Sequence, residues 1–286
     1  MTTKKIEQEN ITAVNNATRN MHFDLWQTNI TENSLLFGFG QTIKVLKDIH
    51  KNEKVIVFAA GVHPDWQNRN NLERIYSAKK RPLVIACDCS LPLFAELGYT
   101  PDYVVSADGS PLIAKYYWRK LRGKPKGALL CTTVHPTTTE TITQYGWPIY
   151  WMQNYSPEEL RLDNIPSILP VGNVGSTAWL VAWYLGCKPI GLLDIEFAWS
   201  DEVPYRAVGE RFQRAGYKTY LNPIAHRYYM ADYIYSVYLD VFAHCIRSGS
   251  AIGKHTVSLT KEGIICKSGI KYKSLESFLA DTPRSK

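Results

Sequence analysis

Short apolar runs, each closed by a polar or turn-forming residue, set the rhythm of this chain. Val55-Ile56-Val57-Phe58 is unbroken and is followed by a turn holding Gly61 and Pro64. Leu83-Val84-Ile85-Ala86-Cys87 ends at Asp88, and Tyr103-Val104-Val105-Ser106-Ala107 ends at Asp108. Ala128-Leu129-Leu130-Cys131 ends at Thr132-Thr133, and Pro148-Ile149-Tyr150-Trp151 is a fifth candidate. Continuous runs of this length read as strands buried on both faces, the pattern of a parallel sheet. The clearest unit spans 168–194. Ile168-Leu169-Pro170-Val171 runs into Gly172-Asn173-Val174-Gly175-Ser176-Thr177. An apolar helix over 178–185 follows, with Gly186 placed to end it. A further strand, Ile190-Gly191-Leu192-Leu193, ends at Asp194. Strand, glycine turn, helix, strand is a right-handed crossover, and its repetition predicts an α/β fold: a Rossmann-like, doubly wound, mostly parallel sheet.

The ends of the chain read differently. Residues 1–35 are polar with weak helical spacing at Ile6, Ile11, Val14 and Met21, which suggests a helical appendage able to pack on the sheet or to mediate self-association. Gly38-Phe39-Gly40 breaks the chain, and Ile43, Leu46 and Ile49 predict a short helix ending near His50. Residues 36–286 then form one domain. After Asp194, the expectation is a loop, a helix bearing Arg206, Arg211 and Arg214, and a long aromatic helix over 228–246. A small hairpin over 256–265 and a closing helix over 275–279 complete the pattern.

Composition narrows the class. The chain has 286 residues, 45% apolar and 21% charged, which excludes disordered, collagen-like and coiled-coil chains. No apolar run approaches the ~20 residues of a membrane span, and residues 1–10 lack the apolar stretch of an export signal. A cytoplasmic location is expected. The six cysteines contain no C-x-x-C pair, so reduced and mostly buried thiols are expected and structural zinc is not. The net charge of +7 is concentrated between Asp108 and Glu140, where Lys115, Arg119, Lys120, Arg122, Lys124 and Lys126 meet no acidic residue. This stretch reads as a solvated basic surface or a phosphate-attracting rim. Nucleic acid is an unlikely partner, because no nucleic-acid-binding signature accompanies it.

In open parallel sheets ligands bind beyond the carboxyl ends of the strands. Gly61, Asp88, Asp108, Thr132, Gly172 and Asp194 fall there. Hard carboxylate oxygens suit Mg²⁺ bridged to substrate phosphates, so Asp88, Asp108 and Asp194 are candidate metal ligands. The turn Gly172, Asn173, Gly175, Ser176, Thr177, together with Gly61, is the candidate phosphate site: glycines admit the phosphate to backbone N–H groups, and Ser176 or Thr177 can cap the helix. No Lys follows the second glycine, so this is not a P-loop. His63 and His135 follow strands and are candidate proton acceptors. With Asp108 and Asp88 they make up the candidate catalytic set.

The stretch Ala86-Cys87-Asp88-Cys89-Ser90, then Gly98-Tyr99-Thr100-Pro101-Asp102-Tyr103-Val104-Val105-Ser106-Ala107-Asp108, resembles the MptE-like domain family. Gly172 to Ala178 followed by Tyr184-Leu185-Gly186 looks like that family's second motif, and Leu193-Asp194-Ile195 like a third. Thr260-Lys261-Glu262-Gly263 and Ser274-Leu275 look like its C-terminal segment. Where the family carries G-x-G-P-S-L, this chain has Ala59-Ala60-Gly61-Val62-His63-Pro64. The resemblance implies a Mg²⁺-dependent transferase with a nucleotide donor. Diphosphate transfer from ATP to a 6-hydroxymethylpterin-type alcohol, the chemistry of archaeal members, is the first expectation. The second is sugar transfer from a CMP-nonulosonic-acid-type donor to a surface or flagellar glycan, the chemistry ascribed to bacterial motility-associated factors. A non-catalytic nucleotide or nucleic-acid binder is the third. The partners would be the nucleotide donor (ATP or a nucleotide-sugar), a small-molecule or glycan acceptor and, where residues 1–35 self-associate, a second copy as a homo-oligomer.

Overall fold

The apolar runs become the strands of one sheet. The structure is a computed structural model and describes residues 22–59, 61, 65–153, 158–168, 173–199, 218–248 and 250–281. Strands β1 (Val55–Phe58), β2 (Leu83–Cys87), β3 (Tyr103–Ser106), β4 (Gly127–Cys131), β5 (Ile149–Met152) and β6 (Ile190–Leu193) alternate with helices. With β9 (Thr256–Ser258) and β10 (Lys271–Tyr272) they form an eight-stranded sheet in the order β10-β9-β6-β1-β2-β3-β4-β5. Every pairing in it is parallel. All residues of β1 to β4 and of β6 are buried, which is why their sequences show no polar alternation.

The strand order fixes the layers. The chain steps from β1 to β5 in one direction through α2 (Asp65–Ser77), α3 (Leu91–Leu97), α4 (Leu112–Tyr116) and α5 (Pro136–Gln144). Right-handed crossovers put these four on one face. The return from β5 to β6 runs the other way, so α6 (Val174–Tyr184) covers the opposite face. There Trp179 packs on Phe242 of α7 (Tyr233–Arg247), with ring centroids 4.7 Å apart. Helix α9 (Leu275–Ala280) returns to the first face, where Glu276 pairs with Arg74 of α2. The winding direction therefore reverses between β1 and β6, and their carboxyl ends flank the crevice that such a switch point creates.

Several expectations are corrected. Helix α6 begins at Val174, four residues ahead of the expected start, because Asn173 caps it. Residues 43–46 make only a 3-10 turn, not a helix reaching His50. The aromatic segment starts as a strand: Arg227–Ala231 (β8) pairs antiparallel with Lys218–Asn222 (β7), and α7 begins at Tyr233 behind the cap Asp232. The small hairpin is therefore β7–β8. At 256–265, β9 instead joins the main sheet in parallel and residues 265–268 form a 3-10 turn. Arg206, Arg211 and Arg214, and most of the expected strand at 168–171, lie outside the described residues. None of the six cysteines is in a disulfide, and Cys87, Cys131 and Cys187 are buried.

Of the expected N-terminal appendage, only residues 22–35 are described, and they pack against the domain. Residues 22–36 form helix α1. Its inward stripe carries Trp26, Asn29, Ile30 and Asn33, at most 9% exposed. The apolar pair packs with Leu160. The asparagines plug the loops beyond β3 and β4. Asn29 Nδ2 donates to the carbonyls of Gly109 (3.0 Å) and Thr133 (2.9 Å). Asn33 Nδ2 donates to Val134 (2.8 Å), and its Oδ1 accepts from the Thr139 hydroxyl (2.8 Å).

Candidate active site

At the switch point the two central strands are tied together beyond their ends. Ala59 N–H donates to the Leu193 carbonyl and Gly61 N–H to the Asp194 carbonyl, both at 3.1 Å. Gly61 has φ +64°, and a Cβ on it would lie 2.6 Å from the Asp194 Cβ. Only glycine fits this turn, on conformation and on space. Asp194 is 3% exposed and itself holds φ +64°. Phe197, three residues on, holds φ +55°, a conformation that a bulky side chain adopts at a cost. Strain of this kind concentrates at ligand sites.

The first turn of α6 faces the same crevice from the other side of the sheet. Asn173 Oδ1 accepts from Ser176 N–H at 2.8 Å, so Asn173, not Ser176 or Thr177, is the cap. The Thr177 hydroxyl turns back to the Asn173 carbonyl at 3.1 Å. No carbonyl within the helix can reach the N–H groups of Val174 and Gly175. A Cβ on Gly175 would lie 3.3 Å from Ile195, which follows Asp194 directly and so fixes the helix end beside the exit of β6. Ser176 is fully buried, and its Oγ has no hydrogen-bond partner. A helix of eleven residues carries a positive dipole end here, suited to an anion.

The second cluster sits at the ends of β2 and β3. Asp88 is 2% exposed. Its Oδ1 accepts from Cys89 N–H at 2.7 Å and its Oδ2 from the Ser106 hydroxyl at 2.5 Å. Burial, with the neighbouring Asp108 charge adding to it, pushes the Asp88 carboxyl up to about 7 despite those hydrogen bonds. Asp108 is exposed and caps its own turn, accepting from Ser110 N–H at 2.8 Å. One buried carboxyl that keeps its proton toward neutrality therefore backs one solvent-facing carboxylate. Groups perturbed in this way mark candidate acid–base sites.

The predicted site residues therefore separate. Gly61, Asp194, Asn173, Gly175, Ser176 and Thr177 gather around the switch point. Asp88 and Asp108, beyond β2 and β3, lie two and three strands away from Asp194, about 10 and 14 Å by strand spacing. Among the described residues no group of three or more His, Cys, Asp and Glu is arranged to hold a metal ion. The three aspartates do not make a shared cage, and Asp88, with both oxygens engaged, is a poor ligand as it stands. His135 is the cap of α5: its Nδ1 accepts from Thr137 N–H at 3.3 Å and meets the Thr137 hydroxyl at 2.8 Å. His63 and Gly172 lie outside the described residues. The basic stretch falls largely elsewhere. Arg122, Lys124 and Lys126 are exposed and lead into the amino end of β4, across the sheet from the crevice.

Sequence reasoning missed Asn29, Asn33 and Asn68. For the first two a signal existed, since Asn29 and Asn33 share a helical stripe with Trp26 and Ile30. Asn68 had the same signal, on the stripe of Leu72 and Ile75.

An open parallel α/β sheet whose strand order reverses between β1 and β6 among the described residues, with polar groups gathered at that point, is the architecture of a Rossmann-like α/β domain. The model of the family described as "6-hydroxymethylpterin diphosphokinase MptE-like" matches residues 28–202. The chain belongs to this family. No curated protein matches it. Among solved structures it is similar to the MAf glycosyltransferase from Magnetospirillum magneticum AMB-1, at 13% identity and a TM-score of 0.55 over 86% of this chain. That likeness is one of fold, and the chain spans 41% of the length of that structure.

Proposed function

We propose that this protein transfers a group from a nucleotide donor to an alcohol, and that the group is diphosphate, passed from ATP to a 6-hydroxymethylpterin-type acceptor. The observation that carries the reading is the convergence of the Gly61 turn, Asp194 and the first turn of α6 on one crevice. The free N–H groups at the start of α6 would hold donor phosphate. The acceptor hydroxyl would lie against Asp108. As its oxygen attacks the β-phosphorus, the bond to the α-phosphate oxygen breaks, AMP leaves, and the hydroxyl proton passes to Asp108. Asp88 behind it holds the local charge down. Mg²⁺ is proposed as a companion of the donor phosphates, with Asp108 the most accessible of the three aspartates. His135, engaged at Nδ1 but half-exposed, and His63 are the alternative proton acceptors.

A second reading is supported by the fold likeness over most of the chain to a glycosyltransferase: the donor would be a nucleotide-activated sugar of the CMP-nonulosonic type and the acceptor a surface or flagellar glycan. Among the described residues no helix is long and apolar enough to cross a membrane. A cytoplasmic site of action is proposed for either reaction. Incubation with Mg²⁺, ATP and 6-hydroxymethyl-7,8-dihydropterin, followed by ³¹P NMR, tests the first reading. Equal amounts of AMP and a pterin diphosphate are expected. Absence of AMP together with release of CMP from a CMP-linked sugar would overturn it in favour of the second.

A further inference from the structure

Asn68 stands where the fold calls for an apolar residue. It lies in the first turns of α2, the helix that leaves the β1 crevice. Asn68, Leu72 and Ile75 form the buried stripe of that helix, and each is 0% exposed. Leu72 and Ile75 need no explanation, since they face the sheet. The position nearest the carboxyl edge is a carboxamide, and both its Nδ2 and its Oδ1 are buried without a hydrogen-bond partner. A side chain with two donors and a carbonyl acceptor, none of them met, lowers stability; leucine, of the same branched skeleton and without polar atoms, carries no such penalty.

A second unmet group lies across the crevice. Ser176, in the first turn of α6, is fully buried and its Oγ has no partner. Helices α2 and α6 cover opposite faces of the sheet, so the two side chains flank the switch point. What would satisfy them differs. A phosphate oxygen accepts a hydrogen bond from the Ser176 hydroxyl. It would also take the Asn68 amide hydrogens, but it has nothing to give Oδ1. Both halves of Asn68 are met only by a ligand edge with a donor beside an acceptor. Heterocyclic amides and amidines have that edge, and asparagine pairs with them through two bonds.

We propose that Asn68 reads the heterocyclic edge of a ligand in the carboxyl-edge crevice, while Ser176 donates to phosphate. The proposal rests on the nucleotide-donor reading. The edge can belong to the donor base or to a pterin ring, and the test separates them. Asn68→Leu is compared with wild type in thermal melting and calorimetric titration with ATP, CMP, inorganic tripolyphosphate, each with Mg²⁺, and 6-hydroxymethylpterin. The ligand-free variant melts at or above the wild-type temperature. It binds tripolyphosphate as wild type does, and loses about tenfold to 100-fold in affinity for either the nucleotides or the pterin. Whichever is lost identifies the source of the edge. Asn68→Ser gives the same split if leucine is not accommodated. Ser176→Ala weakens tripolyphosphate and nucleotides together. Unchanged affinity of Asn68→Leu and Asn68→Ser for every probe overturns the proposal and leaves the donor reading standing. Loss of all probes, tripolyphosphate included, with a lowered melting temperature overturns it in favour of a structural role. A wild-type protein that binds none of the probes overturns both.

Discussion

The two edges of the sheet treat buried polar groups in opposite ways. At the amino edge the buried charged groups are paired, although Trp118 Nε1, beside Trp147 ahead of β5, is buried without a hydrogen-bond partner. Asp102, 7% exposed, accepts two hydrogen bonds from Arg81 at 2.8 and 3.1 Å and one from Val84 N–H at 2.9 Å, with Lys126 at 3.2 Å. Burial alone would raise its carboxyl, but those partners outweigh it and hold it below the usual range. Lys54 donates to the carbonyls of Phe278 and Asp281, both at 2.5 Å, which ties α9 to β1. His50 meets the Tyr103 hydroxyl at 3.0 Å. At the carboxyl edge Asn68, Ser176 and Thr132 keep buried polar atoms unmet. Asp88 is pushed toward neutrality there, and Asp194 and Phe197 hold left-handed backbone. Buried charge is paired at one edge, and unmet polar groups gather at the other beside the proposed ligand site. Departures of this kind, more numerous beside the candidate site, support a functional reading of the carboxyl edge.

The sharpest way to break this contrast is Asp108→Asn. Transfer is expected to fall by 10²–10⁴-fold, the usual worth of a positioned proton acceptor, with melting nearly unchanged. Retained activity would remove the carboxylate from the mechanism. Asp102→Ala is the mirror experiment. It strands Arg81 and a backbone N–H, and is expected to cost about 2 kcal/mol in urea unfolding while activity per folded molecule stays the same. Gly61→Ala belongs to both categories: the added Cβ collides with Asp194, so a loss of about 1–3 kcal/mol and weaker donor binding are expected together.

A further effect is one of pH. Folded Asp88 keeps its proton to about pH 7, whereas the unfolded chain releases it near 3.8. The folded state therefore binds more protons between those values, and this residue makes stability fall as pH rises through that window and level off above it. Asp102 has the opposite sign: its contribution is present above the ordinary carboxylate pKa and is lost as pH falls through its lowered value. Asp88→Asn should flatten the decline between pH 5 and 7 in melting curves. An unchanged slope would mean that Asp88 is not the titrating group.

The sheet was legible because its strands are buried on both faces, and continuous apolar runs say so without ambiguity. Their carboxyl ends followed, and with them Gly61, Asp88, Asp108 and Asp194. The errors have a physical pattern. The segment 228–231 was read as helix because Tyr228, Tyr229 and Met230 suit either period, and only pairing with β7 decides for a strand. The cap of α6 was placed late because Asn173, Ser176 and Thr177 can all cap, and the choice rests on where the helix packs against Ile195. The grouping of the aspartates was not legible at all: strand order, not sequence, puts Asp88 beside Asp108 and leaves Asp194 with Gly61. The asparagines of α1 and α2 were missed because the burial of a carboxamide on an apolar stripe depends on what covers it.

Hydrogen–deuterium exchange with and without Mg²⁺-ATP, and in parallel with CMP, tests the division between the edges most directly. The account predicts slowed exchange at residues 173–177, around Gly61 and in the Asp108 turn, and none at residues 79–81 and 122–126. Protection confined to those basic amino-edge segments, with the carboxyl edge unchanged, would contradict it and make the protein an anion binder of a different kind.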